Sequence, residues 1–63
     1  MQHYYTIETR CKGSEAEYSM LHIFDDRGTQ VRVYARKRMS DIRTVIEVAR
    51  LKPLSQRPEP LPN

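Results

Sequence analysis

Sixty-three residues with a net charge of +3 and a single cysteine allow one small domain at most. Burying an aliphatic side chain gives roughly 1.5–3 kcal/mol, and fixing a residue's backbone costs roughly 1–2 kcal/mol. About ten buried side chains must therefore supply nearly all of the stability, which leaves little chain for a catalytic cleft. Cys11 is alone, so no internal disulfide forms, and no apolar run approaches the ~18–20 residues of a membrane helix. Met1 leads into polar and aromatic residues without the pattern of a signal peptide. The expectation is a soluble protein of a reducing, intracellular (cytoplasmic) compartment.

Residues 3–12 read as a first strand, because Tyr4, Tyr5, Thr6, Ile7 and Thr9 all favour extended backbone. Gly13-Ser14-Glu15-Ala16 reads as a turn. Residues 18–25 form the second strand, whose centre, Met20-Leu21-His22-Ile23-Phe24, suits a central position in a sheet. Asp25-Asp26-Arg27-Gly28 is a hairpin turn, with Gly28 suited to the left-handed conformation. Residues 29–38 form the third strand.

Strict alternation along that third strand places Val31, Val33 and Ala35 on one face and Arg32, Tyr34 and Arg36 on the other. A bulged turn at Gly28 pairs Ile23 with Val31 and Leu21 with Val33, while the first hairpin pairs Ile7 with Leu21 and Tyr5 with Ile23. The opposite face then holds Tyr4 beside Phe24, Thr6 beside His22 and Arg32, Glu8 beside Met20 and Tyr34, and Arg10 beside Tyr18 and Arg36.

Residues 40–52 predict a helix, with Ser40 as its cap and Asp41 in the first turn. Ile42, Val45, Ile46 and Ala49 make its apolar face, and Pro53 stops it. The competing prediction is a fourth strand, since Thr44-Val45-Ile46-Glu47-Val48 is rich in β-branched residues. From Pro53 onward four prolines in eleven residues predict an extended, flexible tail.

The expected fold is α+β: a three-stranded antiparallel meander with one C-terminal helix packed on one face, β-β-β-α. A single domain spans 1–52 and a disordered Pro-rich tail spans 53–63. The expected core is Tyr5, Ile7, Leu21, Ile23, Val31, Val33, Ile42, Val45, Ile46 and Ala49. The strand order over residues 4–52 is similar to that of small sheet-reading DNA-binding domains, such as the arm-site domains of phage integrases and the plant AP2 type. The similarity is one of element order and does not extend to the AP2 signature residues. The size and charge also resemble accessory proteins of phages and plasmids, many of which bind and inhibit a host protein complex.

An open face of alternating rings and guanidinium groups suits phosphates and stacked bases. The candidate binding residues are Arg10, Arg32, Tyr34, Arg36, Lys37, Arg38, Tyr4, Tyr18, Phe24 and His22. The leading expectation is a non-enzymatic nucleic-acid-binding module for DNA or RNA. The competing expectation uses the same face against an acidic or nucleic-acid-binding host protein, and a third lets two outer faces meet in a homodimer. His3 and His22 lack zinc-ligand spacing, the serines lack a nucleophile-elbow context, and Gly13 and Gly28 make no phosphate loop. No catalytic residue, metal site or cofactor is expected. Cys11 reads as a small packed thiol near the strand end.

Overall fold

The computed structural model describes residues 1–58, and residues 59–63 lie outside it. Three antiparallel strands, β1 (Tyr4–Arg10), β2 (Tyr18–Phe24) and β3 (Gln30–Arg36), precede one helix, α1 (Met39–Val48). A two-residue strand, β4 (Lys52–Pro53), then pairs parallel to β1, setting Tyr4 against Lys52 and Tyr5 against Pro53. The sheet order is β3-β2-β1-β4. The expected α+β class holds, with one added strand.

The first hairpin has the expected register, pairing Tyr5 with Ile23 and Ile7 with Leu21. Its turn closes through hydrogen bonds from the Ser14 amide to the Cys11 carbonyl and from the Glu17 amide to the Ser14 carbonyl. Cys11 takes a positive φ of 55° there and is exposed, so it is not the packed thiol expected. The second turn also forms as expected. The Asp25 amide donates to the Thr29 carbonyl at 2.9 Å, the Gly28 amide donates to the Asp25 carbonyl at 3.0 Å, and Gly28 sits at φ 84°. The Asp25 carboxylate accepts from the amides of Arg27 and Thr29, each at 2.9 Å.

Two residues further on, the expected pairing fails. Phe24 faces Gln30, but Ile23 faces Arg32, Leu21 faces Tyr34 and Ser19 faces Arg36. Val31 is the extra residue of a bulge between those two registers. The expected partners of Ile23 and Leu21, Val31 and Val33, are therefore displaced by Arg32 and Tyr34. One inserted residue reverses the facing of everything beyond it, because the side-chain period of a strand is two. The consequence for packing is direct. The Tyr34 ring, larger than a valine, now lies against the core, and Val33 moves to the opposite face, where it is 37% exposed.

Helix α1 crosses the inner face over β2 and β3. Its apolar spacing works as expected: Ile42 is fully buried, and Val45 and Ile46 pack beside it. The boundaries differ. The helix starts at Met39, its cap is Arg38 with no side-chain capping bond, and Ser40 lies within its first turn. It ends at Val48 in a Schellman motif. The Leu51 amide donates to the Ile46 carbonyl at 2.9 Å, the Arg50 amide donates to the Glu47 carbonyl at 3.2 Å, and Arg50 takes a positive φ of 53°. This ending turns Leu51 into the core, where it is 8% exposed.

The core is thus Leu21, Ile23, Ile42 and Leu51, with Tyr5, Tyr34, Met39, Val45 and Ile46 packed around it. Ile7, Val31, Val33 and Ala49, expected in it, are exposed. For Val31 and Val33 the cause is the bulge. Ile7 lies on β1, whereas α1 packs mainly over β2 and β3.

The segment expected to leave the domain at Pro53 stays on it through Arg57. After β4, Leu54–Gln56 form a 3-10 turn that packs on β1. Arg57 then reaches the β2–β3 turn, donating to the Asp26 carbonyl at 3.2 Å. Any Cβ at position 28 would sit 3.3 Å from the Arg57 guanidinium, so glycine there serves both the turn and this contact. The flexible tail expected over the remaining residues falls outside those described.

Candidate functional site

The residues expected to share one open face are divided between two faces. Tyr4, Arg10, Tyr18, His22 and Phe24 lie on the outer face, which α1 does not cover. Arg32, Tyr34 and Arg36 lie on the inner face, registered with Ile23, Leu21 and Ser19. The checkerboard expected from strict alternation is therefore absent, and the bulge at Val31 is the reason. In the outer rows Val33 replaces Arg32 beside His22, and Ala35 replaces Tyr34 beside Met20.

The outer face is also less open and less basic than expected. Tyr4 is only 6% exposed. Glu8 neutralises the centre of the face: its carboxylate meets the His22 ring at 3.2 Å and the Arg10 guanidinium at 3.3 Å. The other ring nitrogen of His22 lies 2.9 Å from the Gln30 side-chain carbonyl oxygen. His22 first, then Arg10, holds the Glu8 carboxyl below the usual carboxylate range, while Glu8 raises the pKa of Arg10. The Arg10 cation and the His22 ring are thus both engaged by a carboxylate within the molecule.

The arginines of β3 have no such partner among the described residues. Strand β3 is an edge of the sheet. Along it the guanidinium carbons of Arg32 and Arg36 lie 5.8 and 5.4 Å from the centroid of the Tyr34 ring. Arg32 donates to the Tyr34 hydroxyl at 2.9 Å, which raises its own pKa further. Arg36 donates to the neighbouring Ala35 carbonyl at 2.8 Å. Among the described residues neither guanidinium has a carboxylate within 4.0 Å. The half-buried Tyr34 ring thus lies beneath the guanidinium groups of two exposed arginines. Lys37 and Arg38, both exposed, continue the positive charge between β3 and α1.

Beside this row lies an open cleft of about 350 Å³ between β3 and the end of α1. Val31, Arg32 and Tyr34 form one wall, and Ala49 and Leu51 the other. Ile23 and His3 complete its lining. The bulge gives Val31 and Arg32 a common direction into the cleft, where an unbroken strand would have pointed them apart. Val31, Ala49 and Leu51 were not visible as site residues in the sequence. The unusual signal was Leu51 between Arg50 and Lys52 just ahead of Pro53, a lone apolar residue where a polar helix end was expected.

Among the described residues no group of three His, Cys, Asp or Glu side chains is placed to hold a metal ion, and no helix is long and apolar enough to cross a membrane. Comparison with protein-family models, with curated proteins and with solved structures finds no match to this chain.

Proposed function

We propose that this chain is a small non-enzymatic module that binds nucleic acid along the cationic edge of β3. Arg32, Arg36, Lys37 and Arg38 hold phosphates, and Tyr34 fixes the two nearer arginines in place. One observation carries this reading: Arg32 and Arg36 are ordered against the same ring yet left without a carboxylate partner among the described residues. Ordering a flexible cation beforehand reduces the entropy lost when it meets an anion, and the planar guanidinium fork suits phosphate oxygens. The outer-face candidates Arg10 and His22 take no part, because Glu8 already engages both.

Fluorescence anisotropy of labelled single-stranded and duplex oligonucleotides at low salt tests the reading directly. Binding that falls steeply with salt, and falls again in Arg32→Ala and Arg36→Ala, is the expected result. A flat titration against DNA and RNA at 25 mM salt removes it.

A second reading, an accessory protein that binds and inhibits a host protein complex, draws on a separate feature. Strand β3 is a seven-residue edge with Val31 51% exposed and Val33 37% exposed, which suits strand addition by a partner. Capture of a partner that survives nuclease treatment, and is lost when Val33→Pro removes a backbone donor, favours this reading over the first.

A further inference from the structure

The cleft beside the cationic row has the size of a small-ligand site and a mixed lining, apolar at Val31, Ala49 and Leu51 and polar at His3, Arg32 and Tyr34. At about 350 Å³ it falls within the range of small-ligand pockets. Its walls are apolar at Val31, Leu51 and Ala49, with Arg32 at the rim. Arg32 belongs to both features: its guanidinium lies over Tyr34 in the cationic row and also lines the cleft. A ligand that fills the cleft while satisfying the row carries an anionic group with a partly apolar group beside it, and a nucleotide joins the two. A paired duplex keeps its bases stacked inside, whereas a single strand can turn one out.

We infer that the cleft between β3 and the end of α1 receives one unpaired nucleobase of a single strand whose phosphates lie on Arg32 and Arg36. The inference rests on the reading proposed above and narrows it from nucleic acid in general to single strands. Bulges recur beside binding sites because they re-aim side chains, and here the bulge sets Val31 and Arg32 side by side at the cleft. Contact with the base covers Val31, which is otherwise 51% exposed on an edge strand.

The test uses the whole chain and four probes: a labelled 12-nucleotide single strand, the same strand with every base removed, the corresponding duplex, and a glutamate-rich peptide. One stacked base raises affinity about tenfold, so the intact strand is expected to bind about tenfold more tightly than the abasic strand. Ala49→Leu fills the cleft without changing charge. It is expected to abolish that difference while leaving abasic binding as it was, and circular dichroism checks that the variant is folded. Amide shifts at Ile23, Ala49 and Leu51 on adding the intact strand but not the abasic one provide a second readout in the unmodified protein.

Equal binding of intact and abasic strands, or a duplex bound as tightly as the single strand, overturns the inference and leaves the cationic edge standing. Tighter binding of the glutamate-rich peptide than of any nucleic acid overturns both, in favour of an acidic protein partner. Failure to bind any of the three nucleic acids at 25 mM salt likewise overturns both.

Discussion

Removing Arg32 and Arg36 together should halve the salt dependence of binding. Four cations line the proposed edge: Arg32, Arg36, Lys37 and Arg38. Each phosphate neutralised on a single strand releases about 0.7 of a counterion, so the slope of log K against log salt should be about −2.8. Raising salt from 50 to 200 mM then weakens binding about fifty-fold. In Arg32→Ala/Arg36→Ala the slope should drop to about −1.4, and the same salt step should cost only about sevenfold. Both residues are exposed, so the variant should remain folded, which a thermal melt followed by circular dichroism verifies. Anisotropy at five salt concentrations measures the slope. Arg36→Lys serves as control, since it retains the charge and should retain the slope. A double variant whose slope equals that of the unmodified protein would refute the argument, because the two unpaired guanidinium groups would then not be meeting phosphates. A parallel measurement on Arg10→Ala should show no change in slope, since Glu8 already holds that guanidinium at 3.3 Å.

Other consequences concern stability. Ile42 is fully buried at the centre of the core, so Ile42→Ala should cost about 2–5 kcal/mol, comparable to the roughly 3–9 kcal/mol available to a chain of this length. That variant should lose a large share of its stability and melt far below the unmodified protein by circular dichroism, while Ile42→Val should lose only about 0.5–1.5 kcal/mol and melt at a slightly lower temperature. Arg50 closes the helix with a positive φ of 53°, a conformation that glycine adopts freely. Arg50→Gly should therefore gain about 0.5–1 kcal/mol and raise the melting midpoint by several degrees, and a lower midpoint would contradict the capping argument. Glu8 is held below the usual carboxylate range by His22 and Arg10, so the unfolded chain takes up its proton at higher pH than the folded one. Its stabilising contribution is complete above the ordinary carboxylate range and is lost as the pH falls below that range and through the lowered pKa of the folded state. Glu8→Gln should accordingly flatten the acid limb of a stability–pH profile obtained by urea unfolding.

Local rules acted where the information needed was local. Tyr5 and Ile7 paired with Ile23 and Leu21 because apolar alternation and a short turn leave one register that sets these apolar residues on the same face. Gly28 took the left-handed position its turn required. Ile42, Val45 and Ile46 made a helix despite their β-branching, because their spacing places all three on a face that the sheet can cover. The residue types of the candidate site were legible too: arginines and a tyrosine alternating on β3, followed by Lys37 and Arg38.

Which side those residues face was decided by the tertiary structure. V-R-V-Y-A-R is apolar on one phase and cationic on the other, so alternation by itself favours valine inside. In the folded chain Tyr34 covers Leu21 and meets α1, and one bulged residue at Val31 suffices to bring it there. An edge strand admits that bulge because no further strand beyond β3 must stay in register with it. Leu51 and the pairing of Lys52 with Tyr4 depend likewise on where the helix ends, and an arginine in the left-handed conformation carries no sequence signal of its own. Local sequence pattern and charge therefore determined that this chain is a small basic α+β domain with a cationic third strand. Only packing of the helix and sheet determined that its cations line an edge beside a cleft, since one residue's shift in register reverses every facing that follows.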